Sequence, residues 1–169
     1  MTDEIDGVSV INAESHGDHR GRLVEVLHAS DSPVRFVQAN HSHSVRHVLR
    51  GLHYHRRQTD WWYLVSGSAR VALADLRRKV ERPPVQMIEL RSDEPTVLQI
   101  PAGVAHGFLA LSDIDLIYLV SEEYDGTDEF GIAWNDPSLA IPWGIDRPIL
   151  SARDRDNPEL QWERIPQFS

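Results

Sequence analysis

Nine histidines are present, and five of them (His41, His43, His47, His53 and His55) fall within residues 41–55. Imidazole titrates near neutrality and is also a common metal ligand, so such a cluster suits proton transfer or metal binding. The arrangement around His53 is specific: Arg50-Gly51-Leu52-His53-Tyr54-His55, then Asp60, then Gly67. On a strand, His53 and His55 share one face because side chains alternate with a period of two. Downstream, Pro101-Ala102-Gly103 supplies a turn, and Val104-Ala105-His106 opens the next strand. Two chemistries fit these residue types. A positioned imidazole could move a proton as general base or acid. Alternatively, His53, His55, Asp60 and His106 could hold one divalent metal ion, three imidazoles and a carboxylate being suited to Zn, Fe, Ni or Mn. Cysteine is absent, which excludes disulfides and thiolate chemistry.

These residues need a scaffold of strands. Short β-rich runs recur at 22–27, 34–40, 48–55, 61–65, 69–76, 85–90, 96–100, 107–111 and 115–120, with Gly, Pro, Asp and Ser between them. Many short strands between turn signals predict a sandwich, barrel or jelly roll. No stretch before residue 150 has sustained helical periodicity. Asn157-Pro158-Glu159 has the order of an N-cap, a first-turn proline and a first-turn acid, and predicts a short C-terminal helix there.

The net charge of −9 argues against nucleic acid as a partner. An anionic small ligand needs only a local cluster of positive charge, which Arg20, Arg22, Arg50, Arg56 and Arg57 could supply. The acidic N-terminus lacks an apolar signal region, and the most apolar run, 114–120, is too short to span a bilayer. A cytoplasmic location without membrane association is the expectation.

The two histidine segments together resemble the two cupin motifs, His-x-His with a later acid and glycine, and Pro-x-Gly-x-x-His. A tighter resemblance runs from about residue 18 to 154. It is carried by Asp18-His19-Arg20-Gly21 with Glu25, by Gln38-Ala39-Asn40, and by Leu49-Arg50-Gly51-Leu52-His53-Tyr54. Ile100-Pro101-Ala102-Gly103-Val104-Ala105-His106-Gly107-Phe108, Tyr118, Tyr124, Trp134-Asn135-Asp136-Pro137 and Leu150-Ser151-x-x-Asp154 complete it. These stretches resemble the dTDP-4-dehydrorhamnose 3,5-epimerase family. The resemblance implies an all-β, cupin-type double-stranded β-helix (jelly roll) in one domain over 1–169. Its core would cover about residues 20–125, and 126–169 would pack on the barrel. It implies proton abstraction beside the C4 ketone of a nucleotide-linked 4-keto-6-deoxy sugar, with no cofactor. By this resemblance His53 is the base, Asp154 orients it, and Tyr118 is the acid on the other face. Arg50 and His106 would lie near the sugar or its phosphates, and Tyr124 would border the sugar. Arg20, Gln38 and Asn40 would bind the nucleotide, with Glu25 in the same binding set. Arg20 would come from the neighbouring subunit of a homodimer. Read alone, Tyr118 is a core aromatic and Asp154 a turn or cap residue; only the joint match assigns them chemistry.

One position departs from the family. Gln58-Thr59-Asp60 places Asp60 seven residues before Gly67, where the family carries a lysine that stabilises the developing enolate. A unit charge ~4 Å away at an effective dielectric of about 20 is worth on the order of 4 kcal/mol, and a change of sign roughly doubles the difference. Three outcomes follow: Arg56 or Arg57 replaces the lysine charge; His53, His55, Asp60 and His106 bind a metal; or the protein binds a nucleotide sugar without epimerising it. A 3,4-ketoisomerase also fits the His53–His55 pair, but the downstream residues match the epimerases better.

Overall fold

Alternation along the strands decides which side chains face inward. The computed structural model describes residues 4–124 and 126–168. Its strands are β1 (Ser9–Asn12), β2 (Glu14–Asp18), β3 (Gly21–Glu25), β4 (Gln38–Ser44), β5 (Leu49–Tyr54) and β6 (Asp60–Ser66). They continue with β7 (Ser68–Asp75), β8 (Val85–Arg91), β9 (Thr96–Ile100), β10 (Val104–Ala110), β11 (Ile114–Val120) and β12 (Phe130–Gly131). A five-residue helix, α1 (Ala152–Asp156), and a 3-10 turn (Trp162–Arg164) follow. One five-stranded sheet has the order β1-β9-β6-β11-β4, the other β12-β5-β10-β7-β8, and β2–β3 is a separate hairpin. The twelve strands pair antiparallel, and the two sheets form a cupin jelly roll.

Along β6, Trp62 and Leu64 enter the space between the sheets, where they join Val71, Leu73, Leu98, Ile100 and Phe108. Each such side chain contributes about 1.5–3 kcal/mol on burial. The alternate residues Trp61 and Tyr63 pack instead against Val24, Val26 and Phe36 from the N-terminal region. On the second sheet the alternate residues Leu49, Leu52, Tyr54, Ala72 and Ala74 are also buried. They are covered by the C-terminal segment through Ile132, Leu139 and Trp143. That packing brings α1 against β5.

The C-terminal helix lies earlier than the sequence predicts. Ser151 caps it, its hydroxyl accepting from the Asp154 N–H, and Asn157 is its C-cap rather than an N-cap. Pro158 disfavours helical backbone at Asn157, so the helix stops before it. Beyond that point, among the described residues, only the 3-10 turn forms. The strand expected at 34–40 is displaced to Gln38–Ser44. Its inward residues, Gln38, Asn40 and Ser42, line a cavity and are polar, so the β-prone Val34-Arg35-Phe36-Val37 stretch misleads. β1, β2 and β12 are short or exposed and have no clear apolar alternation.

Candidate active site

β5 and β10 pair so that His53 lies directly across from His106, and Arg50 across from Phe108. Gly51 and Leu52 therefore oppose Gly107 alone, which is a β-bulge. The extra residue changes the inward–outward parity, and so Arg50 and His53 both line the same cavity. The bulge depends on two glycines in close contact. A Cβ at Gly51, whose φ is +128°, would lie 2.6 Å from the Gly107 Cα. The apolar filling of the barrel ends at Trp62 and Phe108, whose rings meet edge to face at 5.8 Å. Beyond them a cavity of about 520 Å³ opens.

His53 Nε2 lies 2.6 Å from Asp154 Oδ1. Asp154 is buried, and the Ser151 hydroxyl accepts its N–H at 3.0 Å. Burial alone pushes the Asp154 carboxyl up, but the hydrogen bond and charge of His53, with Ser151 and Arg153, hold it below the usual carboxylate value. An ionised Asp154 accepts from Nε2–H and leaves Nδ1 of the neutral ring as the basic nitrogen. Tyr118 lines the same cavity from β11, in the opposed sheet, between Asn40 and Trp62. Burial first, then the Asp60 charge, pushes its phenol up, so it stays protonated and able to donate.

Beneath this pair lies a second cluster. His55, Asp60 and His106 each offer one ligand atom, all within 4.8 Å of one another. His55 Nδ1 donates to the Asp128 carbonyl at 2.6 Å, and His106 Nδ1 to the Val104 carbonyl at 3.0 Å. Each ring therefore presents Nε2 as an acceptor. The buried Asp60 carboxylate accepts from Gln58 Nε2 at 3.1 Å and more weakly from Trp62 Nε1 at 3.4 Å. Gln58 Nε2 also sits 3.2 Å from His55 Nε2. Burial pushes the His106 imidazole down to about 4 against the opposing charge of Asp60, so the ring is neutral near pH 7. The four-residue metal set that the sequence offered as an alternative thus divides. His53 belongs with Asp154, and the other three stand together.

Of the remaining predicted site residues, Gln38, Asn40, Arg50 and Tyr124 line the cavity. Gln38 donates to Asn40 at 2.8 Å and accepts from the Tyr124 N–H at 3.1 Å, while Arg50 is held by the Ser44 hydroxyl at 3.0 Å. Arg20 stands on the β2–β3 turn, 80% exposed and paired with Asp18, and does not line this cavity. Glu25 pairs with His16 across the same hairpin and with His28 just beyond it. Arg56 and Arg57, one of which was expected to replace the lysine charge from the neighbouring loop, do not line it either. Their backbone N–H groups are tied to the two Asp128 carboxylate oxygens at 2.8 and 3.0 Å, and both residues are exposed. Sequence reasoning misses Glu129 and Arg153, an ion pair at 2.7 Å on the cavity wall. Arg153 occupies one of the two unassigned positions between Ser151 and Asp154, so its neighbour was the available signal.

The family profile described as dTDP-4-dehydrorhamnose 3,5-epimerase matches residues 2–161. The chain is 39% identical over 150 residues to the dTDP-4-dehydrorhamnose 3,5-epimerase of Pseudomonas aeruginosa, covering 82% of this chain and 83% of that one. It is 34% identical over 148 residues to the spore coat polysaccharide biosynthesis protein SpsL of Bacillus subtilis, covering 84% and 98%. Among solved structures it is similar to dTDP-6-deoxy-D-glucose-3,5-epimerase RmlC from Legionella pneumophila in complex with dTDP-4-keto-L-rhamnose. That similarity has a TM-score of 0.88 at 30% identity and covers 100% of this chain and 97% of the other. With a profile match over most of its length and relatives of this identity and coverage, the chain belongs to the dTDP-4-dehydrorhamnose 3,5-epimerase family.

Proposed function

We propose that this protein epimerises a nucleotide-linked 4-keto-6-deoxy sugar by proton transfer at a carbon beside the C4 ketone. The observation that carries this reading is the His53–Asp154 pair, facing the same cavity as Tyr118 from the opposed sheet. A sugar ring between the sheets has a base on one face and an acid on the other. His53 takes the proton from C3 or C5, and the electrons of the broken C–H bond form an enolate with its charge on O4. The anionic Asp154 stabilises the resulting imidazolium. The Tyr118 hydroxyl then delivers a proton to the opposite face of the carbon, which restores the ketone and inverts the centre. Solvent exchange returns both side chains to their starting states, so these steps require no redox cofactor.

Arg50 supplies positive charge at the cavity wall, Gln38 and Asn40 offer polar contacts to the nucleotide portion, and Tyr124 borders the sugar. Arg20, on an exposed hairpin away from its own cavity, suits a homodimer in which it reaches the neighbouring site. Incubation with dTDP-4-keto-6-deoxyglucose in D2O tests the reading. Deuterium is expected at C3, C5 or both. Ligand-induced stabilisation with no deuterium at either carbon would refute epimerisation of that substrate and leave a binding role.

A further inference from the structure

We infer that His55, Asp60 and His106 form a divalent transition-metal site at the cavity wall, and that the ion supplies the positive charge that Asp60 would otherwise oppose. This deepens the proposed function and rests on it for the role of the ion, though not for its binding.

Three observations carry the inference. First, the ligand atoms of the three residues lie within 4.8 Å of one another, with His55 Nε2 and Asp60 Oδ2 3.9 Å apart. Two imidazoles and one carboxylate, with positions left for exogenous ligands, suit first-row ions such as Fe, Mn, Ni or Zn. Second, each imidazole is already oriented. Its Nδ1–H is fixed on a backbone carbonyl, which leaves Nε2 for the metal, the arrangement that supports histidine ligands generally. The support continues outward, since Asp128, whose carbonyl holds His55, is itself anchored by the Arg56 and Arg57 N–H groups. Third, His55 Nε2 and Asp60 Oδ2 both accept from the same nitrogen, Gln58 Nε2. Two acceptors aimed at one point are satisfied there by a hydrogen-bond donor and would be satisfied more strongly by a cation. Rotation of the Gln58 amide would present its oxygen as a further ligand.

Charge makes the placement useful. Without an ion, Asp60 puts one negative charge beside a developing enolate. A divalent ion with two neutral imidazoles and one carboxylate carries a net charge of +1, the charge of the lysine that the family has at this position. The ion would act as a Lewis acid toward the ketone oxygen. His53 is outside the ligand set, so it stays available as base.

The test uses full-length protein without a polyhistidine tag, stripped with chelator and titrated with Co2+. Uptake is followed by the visible d–d bands of the bound ion and by elemental analysis. One Co2+ per chain is expected at this site. Asp60→Asn and His55→Gln should each weaken it by more than about 100-fold, because outer-shell changes alone cost about 10–100-fold. The exposed Glu14, His16 and Glu25 group is the competing place for an ion. His16→Ala is therefore the control and should leave the spectrum unchanged. Circular dichroism of each variant confirms that it is folded. No Co2+ uptake at ~1 mM, or uptake abolished by His16→Ala but unaffected by Asp60→Asn and His55→Gln, overturns the site. Deuterium exchange measured in parallel separates the two readings. Equal exchange with and without the ion overturns its role and leaves epimerisation standing. One tightly bound Co2+ with no exchange in any form supports the site and overturns epimerisation.

Discussion

Asp154 closes onto His53 across 101 residues of sequence, its Oδ1 2.6 Å from the imidazole Nε2. The contact joins α1 to β5 and sets both the tautomer and the orientation of the ring. Asp154→Asn keeps the shape but loses the anion, and Asp154→Ala loses both. Each is expected to slow deuterium incorporation into the sugar by about 10²–10⁴-fold, the usual worth of a positioned general base. Proton NMR in D2O measures the rate, and circular dichroism confirms the fold. Wild-type exchange in Asp154→Asn would remove the carboxylate from the mechanism.

Tyr118 makes a distinguishable prediction because, in the proposed mechanism, it acts after the proton has left. In Tyr118→Phe, His53 still removes the proton and can return a deuteron to the same face. Exchange with retention should persist, while inversion falls by about 10²–10⁴-fold. The ring coupling constants of the recovered sugar report retention against inversion. Undiminished inversion would show that another group is the acid.

His53, Asp154 and Tyr118 were legible in the sequence only as a set. Each alone reads as an ordinary strand, cap or core residue, and the joint match separates them from that background. The inward pairing of His53 and His55 follows from their spacing, but that of Arg50 and His53 does not. A bulge at Gly51 produces it, and a bulge is a property of the β5–β10 register. For the same reason the metal quartet looked plausible in one dimension. Which of the four side chains converge depends on Asp154 arriving from a helix far along the chain. Arg153 and Glu129 were missed because their relationship exists only once the C-terminal segment packs across the second sheet.

The bulge itself is testable. At Gly51 an added Cβ would meet the backbone of β10, 2.6 Å from the Gly107 Cα and 2.9 Å from the His106 carbonyl oxygen. Backbone cannot yield as a side-chain tip can, and a φ of +128° is strained for any L residue. Gly51→Ala is therefore expected to destabilise the fold by more than about 2 kcal/mol, within the range of strained and overpacked substitutions. It should also impair exchange, because His53 and His106 are positioned by this register. Urea denaturation measures the first effect. A variant as stable as the parent would mean that β5 and β10 can separate here without loss.

Acid should destabilise the metal-free protein in two separate windows. His106 is pushed down to about 4 by burial, below its ordinary 6.5. Between those values the unfolded chain binds a proton that the folded chain does not. Stability is therefore full above about pH 6.5 and is lost as pH falls toward 4, by an amount on the order of 3 kcal/mol. The lowered Asp154 carboxyl acts in the second window. Its contribution is present above the ordinary carboxylate value of 3.8 and is lost as pH falls through the folded-state value. Melting midpoints of chelator-treated protein from pH 7 to pH 4 should fall by several degrees. His106→Asn, which cannot titrate, should flatten that slope, whereas Asp154→Asn should leave the upper window in place. An identical upper-window slope in His106→Asn would assign it to another histidine.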